Sequence, residues 1–377
     1  MVTGDNREAS RDYQNPMPWF GTAPDALLQG FANLPGTEVH VVTCAQRKMK
    51  SPEKLAENIF FHSLYVPKIG WMRTGYQGCI RATRRRLQQI QPDIVHGQGT
   101  ERDCALSAIF SGFPNILTIH GNMRAVARGN RARAFSFGWL AAKLEAFVLP
   151  RTSGVVCISS YTLQLVKSLA RKTWLVPNAV DSSFFQVANS PLLPPRILCV
   201  GNILKLKNQC ALILALDGLH TRSDFELIFL GSANPGTPYA VEFLKAIETR
   251  PWCRYAGFVD REGLKAYLTS ASGIIHPTLE DNCPMVILEA MAAGVPVAAA
   301  RIGGIPDLIR PGETGILFNP MEKQSMSKAM EELLAAASWN KAAYAREEAL
   351  NRFHPRTIAQ RHVEIYQEVL SSIYTVL

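Results

Sequence analysis

The sequence predicts an α/β protein of two doubly wound, Rossmann-like domains, each a parallel sheet covered by helices on both faces. Three observations lead there. Short β-branched runs alternate with amphipathic segments from Glu38 onward, the scheme starts again after the proline-rich stretch Pro191–Pro195, and 377 residues are enough for two separate cores.

In the first half, Glu38–Thr43, Asp93–His96, Asn115–His120 and Gly154–Ser159 read as strands, with helices at Asp25–Leu34 and Tyr76–Ile90. In the second, the strands are Arg196–Gly201, Phe225–Gly231, Trp252–Phe258, Gly273–His276, Val295–Ala299 and Gly315–Phe318. Between two of them Ala240, Phe243, Leu244 and Ile247 fall at helical spacing. Runs this apolar suit parallel strands buried on both faces. Val176–Asp181, Phe184-Phe185 and the prolines after them mark a strand end and a stiff connection. We therefore expect domains at 1–182 and 183–354, then a helix over 355–377 with Ile358, His362, Ile365, Tyr366 and Val369 on one side.

One feature departs from the scheme. Only Met1-Val2-Thr3 is available as a strand before the turn Pro16–Thr22, although the first strand of a doubly wound sheet is central. Its loss would leave a neighbouring strand unpaired. The expectation is either a natural chain that starts upstream of Met1 or a domain mobile at its N-terminus.

Composition narrows the function classes. A hydrophobic content of 47% and mean hydropathy of +0.01 indicate a soluble globular chain. The most apolar segment, Phe135–Leu149, is interrupted by Lys143 and Glu145, so no transmembrane helix is expected, and no secretory signal pattern opens the chain. Eight cysteines without a Cys-x-x-Cys pair read as small buried hydrophobes in a reducing compartment, and no structural zinc site is expected. The formal charge is +9, with Arg81, Arg84, Arg85 and Arg86 in one helix and Arg124, Arg128, Arg131 and Arg133 in another segment. Either these are solvated faces or they meet an anionic membrane surface or a phosphorylated lipid acceptor. No nucleic-acid module accompanies them.

The chemistry concentrates at 274–320. An apolar strand ends at His276-Pro277, an acidic turn follows, and a helix opens near Pro284 carrying Glu289. Asp281 and Glu289 thus flank a helix N-terminus, whose unpaired N–H groups and partial positive charge suit a phosphate. Asn282 is expected as N-cap with Pro284 in the first turn, and the segment Asn282-Cys283-Pro284-Met285 as the phosphate-binding turn. Cys283 is not expected to act as a nucleophile.

This stretch resembles the Glu-x7-Glu motif of family 4 retaining glycosyltransferases. Gly303-Gly304-Ile305-Pro306-Asp307 and Gly312–Leu317 follow in that family's order, and Val176–Asp181 is similar to its Pro-Asn-Gly-Val-Asp signature with Ala179 in place of glycine. The resemblance implies a GT-B fold: two Rossmann-like domains facing a central cleft, with the C-terminal helix crossing back to the first. It implies that Glu289 grips the donor ribose and that Asp281, or the neighbouring Glu280, holds the donor sugar. Gly201-Asn202-Ile203-Leu204-Lys205-Leu206-Lys207 resembles the diphosphate-binding segment. Lys207 falls on the lysine position, Asn202 on the arginine position, and Lys205 is available to compensate.

In the first domain His120 resembles the histidine that faces the reacting sugar, His96 is a candidate for lining the acceptor cleft, and Gly21 with Thr22 is placed to approach the phosphates. The resemblance implies a hexosyl transfer with retention from a UDP- or GDP-sugar to a glycan or lipid-linked acceptor, without cofactor or metal. A cytoplasmic enzyme, peripheral on the membrane through Arg81, Arg84, Arg85 and Arg86, building a cell-surface polysaccharide or glycolipid, fits these features. A nucleotide-sugar epimerase of the same fold, or a non-catalytic nucleotide-sugar binder, remains open at this point.

Overall fold

The computed structural model describes residues 1–129 and 131–374. The chain divides into two compact units: Met1–Ala179 together with the chain from Pro355 onward, and Val180–His354. The sequence placed the boundary at 182/183. Val180 already belongs to the second unit, where its N–H donates to Phe353 O over 2.9 Å.

In unit 1 the chain opens with α1 (Asn6–Ser10) and α2 (Thr22–Ala32), then runs through β1 (Val39–Ala45), β2 (Lys54–Ala56) and β3 (Ile59–Tyr65). There follow α3 (Gln77–Ile90), β4 (Val95–Gln98), α4 (Asp103–Ile109), β5 (Asn115–Ile119), α5 (Met123–Gly129) and α6 (Phe137–Val148). β6 (Gly154–Cys157), α7 (Ser160–Val166) and β7 (Thr173–Leu175) end this stretch. One group of strands has the order β1-β3-β2 and another β4-β5-β6-β7, parallel except for β2 against β3.

Val2 joins the two groups. It bridges Val42 on one side and Gly97 on the other, donating to His96 O at 2.8 Å and accepting from Gln98 N at 2.9 Å. The expected gap at the centre of the sheet is therefore filled by Met1–Thr3, shortened to a bridge, and β1 and β4 are both paired. The Val2 side chain enters a core with Val42, Ile80, Leu87, Cys104, Leu117 and Val148, which seats α3, α4 and α6 on one sheet face. Phe31 of α2 packs on the other face with Ile358, Ile365 and Val369 of the last helix. Arg7 fixes the turn between Val2 and α2: buried against Asp5 at 2.7 Å, it also donates to Asn15 O and Pro16 O.

Unit 2 comprises β8 (Arg196–Val200), α8 (Gln209–His220), β9 (Glu226–Leu230), α9 (Pro238–Glu248), β10 (Cys253–Gly257) and α10 (Arg261–Ser270). β11 (Gly273–His276), α11 (Met285–Ala292), β12 (Val297–Ala300), β13 (Ile316–Phe318), α12 (Lys323–Leu334) and α13 (Ser338–Arg352) complete it. Its sheet is parallel with the order β10-β9-β8-β11-β12-β13. Local signals set the helix starts: Thr237 caps α9 with Pro238 next, and the Asp260 side chain accepts from Gly263 N at the start of α10. The order reverses between β8 and β11, and ligands of doubly wound sheets bind outside the carboxyl ends of strands at such a switch point. The loops after both strands carry the residues singled out above. α14 (Pro355–Tyr374) belongs to unit 1; residues 375–377 of the expected helix lie outside the described residues.

Candidate functional site

In unit 2 the loops after β8 and β11 meet in one ion pair. Lys207 ends a single 3₁₀ turn, Lys205–Lys207, and its Nζ lies 2.5 Å from Asp281 Oδ2. His276, the last residue of β11, puts Nε2 3.3 Å from the same oxygen. Burial alone would raise the Asp281 carboxyl, but His276 and Lys207 outweigh it and bring the pKa down to about 2. The His276 imidazole is pushed down by burial against the pull of Asp281. The loop is held from behind by Gly304 N, which donates to Asp281 O at 3.0 Å. Gly303 makes this possible: its φ is +57°, and a Cβ there would sit 2.0 Å from Asp281 O.

The helix that follows differs from expectation. The cap of α11 is Pro284, not Asn282, and no side chain caps it. Asn282 is instead spent on the turn, its N–H donating to Asp281 Oδ1 at 2.9 Å. Pro284 has no N–H to lose at that position. The first amides of α11, Met285 and Val286, are among those a helix cannot satisfy internally. Cys283 and Pro284 are buried and Glu280 is half-buried, its carbonyl accepting from Thr278 Oγ1 at 2.8 Å.

Glu289 is one helical turn further in and only 4% exposed. Burial raises its pKa to about 7 even though Arg261 Nη1 stands 3.5 Å away, and Asp181 adds to the rise. Arg261 is shared: its Nη2 is 3.3 Å from Asp181, and its guanidinium lies 5.1 Å above the Phe184 ring. The sequence drew attention to Asp181 and Phe184 only as a boundary. Arg261 follows the Asp260 cap, and nothing in the linear pattern separated it from a surface arginine.

Asn202 does not stand in for a cation. Its Oδ1 accepts from Ser232 N at 3.2 Å and its carbonyl from Gln209 Nε2 at 3.0 Å, which fastens the loop after β8 to the loop after β9. Lys205 is exposed and Gly201 half-buried. The cations of this loop are therefore Lys205 and Lys207, the second already engaged.

In unit 1 His120 and His96 belong to one buried hydrogen-bonded chain. His120 Nε2 is 2.8 Å from Gln98 Oε1, and Gln98 Nε2 is 3.3 Å from His96 Nε2. His96 also meets Thr118 Oγ1 and, through Nδ1, Tyr366 Oη of α14, both at 2.7 Å. His362 stacks on His96 with ring centroids 5.4 Å apart. Burial pushes His120 and His362 down to about 4 and His96 well below its ordinary value, so all three are neutral at neutral pH. His96, expected at an acceptor surface, is 3% exposed and ties β4 to α14. Gln98 and Tyr366 carried no sign of this pairing in the sequence beyond their places on a strand and a helix. Gly21 precedes α2 at φ 104° and ψ 161°. Buried Glu145 accepts from Thr100 Oγ1 and from the amides of Met123 and Arg124, fixing the loop after His120.

All eight cysteines are free and buried. Among the described residues, Cys44, Cys79 and Asp103 form the one group whose donor atoms all lie within 4.8 Å of one another. Three ligands fall one short of a closed tetrahedral zinc site.

Two family models cover most of the chain. Residues 25–184 match the model described as Glycosyltransferase Family 4, and residues 194–336 that described as Glycosyl transferases group 1. The chain belongs to the family 4 glycosyltransferases. Its similarity to the sulfoquinovosyl transferase SQD2 of Arabidopsis thaliana is 25% identity over 272 residues, 66% of this chain and 51% of that protein. For a glycogen synthase of Mycobacterium tuberculosis the values are 23% over 290 residues, 73% and 69%. The chain thus spans about half the length of the first of these relatives. Among solved structures, a sucrose-phosphate synthase from Thermosynechococcus elongatus superposes with a TM-score of 0.75 at 18% identity, over 98% of this chain and 99% of that one. Anabaena Alr3699/HepE in complex with UDP and glucose gives 0.68 at 17%, over 97% and 98%. The fold of this family 4 chain is GT-B, with two Rossmann-like parallel-sheet units.

Proposed function

We propose that the chain transfers a hexosyl unit, with retention, from a UDP- or GDP-sugar to an acceptor hydroxyl. The observation that carries this reading is the Lys207–Asp281 pair beside the N-terminus of α11, at the switch point of the sheet. An incoming diphosphate competes for the Lys207 ammonium. As the lysine turns to the phosphate, Asp281 is released to hold the hydroxyls of the donor sugar, while Glu289 serves the ribose. When the glycosidic C–O bond breaks, negative charge grows on the diphosphate, and Lys205, Lys207 and the first amides of α11 stabilise it in place. The leaving phosphate takes the proton of the acceptor hydroxyl. On unit 1, His120 is neutral and held by Gln98, and it keeps the imidazole as a hydrogen-bonding group. No metal takes part in this scheme.

The similarity to a sulfoquinovosyl transferase and to a solved structure carrying UDP and glucose supports a nucleotide-sugar donor. The basic helices support a peripheral position on the cytoplasmic face of a membrane, with a lipid-linked or glycan acceptor for a cell-surface polysaccharide or glycolipid. No helix among the described residues is long and apolar enough to cross a membrane.

A thermal-shift screen with UDP-, GDP- and ADP-sugars identifies the donor, because a ligand of the native state raises the melting temperature. Assay of nucleotide diphosphate release, with and without acceptor, then separates three activities. A transferase releases it in step with acceptor glycosylation, an epimerase converts donor alone, and a binder does neither. Full loss of turnover in EDTA with recovery on manganese would overturn the metal-independent scheme.

A further inference from the structure

The outer ridge of α6 carries a pattern that the donor site does not use. Phe135, Trp139, Lys143, Phe147 and Arg151 follow one another at four-residue intervals, so they line one side of the helix and its flanks. Phe135 and Trp139 rings are 5.3 Å apart, and Lys143 Nζ is 5.5 Å from the Trp139 ring. The Arg151 guanidinium lies 3.9 Å above Phe147, whose ring meets that of Phe110 at 6.2 Å. Phe135 is 81% exposed, and Phe147 and Phe110 are 40% and 42% exposed. From Cys104 to Val180 the sole acidic residue is Glu145, against nine lysines and arginines. Glu145 is turned fully inward. The exposed surface of this segment therefore has rings and cations and no negative charge.

We propose that this ridge is a docking face for an anionic lipid bilayer. Ring pairs with a cation beside Trp139 and another beside Phe147 match the bilayer interface, where aromatic side chains sit at the headgroup level and cations at the phosphates. The face extends to α3, which shares a core and a sheet face with α4 and α6 and whose Arg81, Arg84 and Arg85 are exposed. The proposal deepens the peripheral-membrane reading above and rests on it.

The test is co-sedimentation of the full chain with vesicles of phosphatidylcholine alone or mixed with phosphatidylglycerol. Binding is expected only to the anionic vesicles and falls several-fold as salt is raised. Phe135→Ser combined with Phe147→Ser lowers it about tenfold even in low salt, and Lys143→Gln with Arg151→Gln does so by removing charge. The melting shift produced by the donor sugar stays that of the parent in all these variants. Equal binding to neutral vesicles, no binding to either, or binding unchanged by the ridge variants overturns the proposal, as does complete displacement by single-stranded oligonucleotide. A parent that binds anionic vesicles but shows no donor-induced shift sinks the transferase reading and leaves the docking face standing.

Discussion

The two units bury polar groups to similar depth and solve the problem in opposite ways. In unit 1 His96, His120 and His362 are discharged by burial; Gln98 joins the first two, Thr118 and Tyr366 hold His96, and His362 stacks on it. In unit 2 charges are kept and offset against one another, Lys207 against Asp281 with the His276 imidazole beside it, and Arg261 between Glu289 and Asp181. A neutral chain has nothing to gain from an incoming ion and serves to fix geometry. A set of offset charges can be repartitioned when an anion arrives. The contrast accords with the proposal that unit 2 takes the diphosphate, and it gives unit 1 a rigidly held, neutral imidazole.

The sharpest way to break the comparison is Glu289→Gln. Donor turnover should fall by at least about a hundredfold, because an orienting contact to the ribose is lost. Stability should move the other way. The folded pKa of Glu289 is raised from 4.5 to about 7, so its contribution is complete below pH 4.5 and lost as pH climbs to 7. Above pH 7 the variant should be more stable than the parent by up to about 3 kcal/mol, read by denaturant unfolding at several pH values. A less stable variant would mean that Arg261 more than compensates the burial of this carboxylate.

Lys207→Ala should come next, abolishing most donor use and costing about 2 kcal/mol, since Asp281 is left largely desolvated with only His276 beside it. Unchanged donor-induced melting in this variant would refute the exchange of Lys207 from Asp281 to phosphate.

In unit 1, Gln98→Leu takes one hydrogen bond from His120 and one from His96, which keeps Thr118 and Tyr366, and should cost about 1–2 kcal/mol, with turnover falling about tenfold as His120 loses its orientation. The pH response also separates the units. His120 and His362 have folded pKa values lowered from 6.5 to about 4, so their contribution is present above pH 6.5 and lost as pH falls to 4. Over the same interval Glu289 becomes favourable. Hydrogen exchange on mild acidification should therefore show protection lost first in β4, β5 and α14. Lys205→Ala, at an exposed site, should change stability by less than about 0.5 kcal/mol and donor affinity only a few-fold.

Much of the architecture was legible because buried parallel strands write themselves as apolar runs: Gly273–His276 was placed without error, and most other strands shifted by one or two residues at an end. β2 and β3 went unread, and β7 was read only by its end at Val176. β3 alternates buried and half-buried positions and contains His62, while β2 and β7 are only three residues long. Val2 was legible as a possible strand but not as a sufficient one, because its pairing on both sides comes from residues far along the chain.

In the site, Asp281, Lys207 and Glu289 could be picked out by register. Their pairings could not: Lys207 meets Asp281 across 74 positions and His96 meets Tyr366 across 270, and local spacing holds no record of such contacts. His276 was seen as the end of a strand, and only the distance to Asp281 makes it part of the site.

Unit 1 is assembled from segments on both sides of unit 2 in the chain. Phe31 and its neighbours are covered by Ile358, Ala359, Ile365 and Val369, which are synthesised only after all of unit 2. During translation, unit 2 can reach its native core as one uninterrupted segment, whereas unit 1 must wait with an apolar face uncovered. The order of maturation on the ribosome is thus inverted relative to the order of the chain: the half that begins first finishes last.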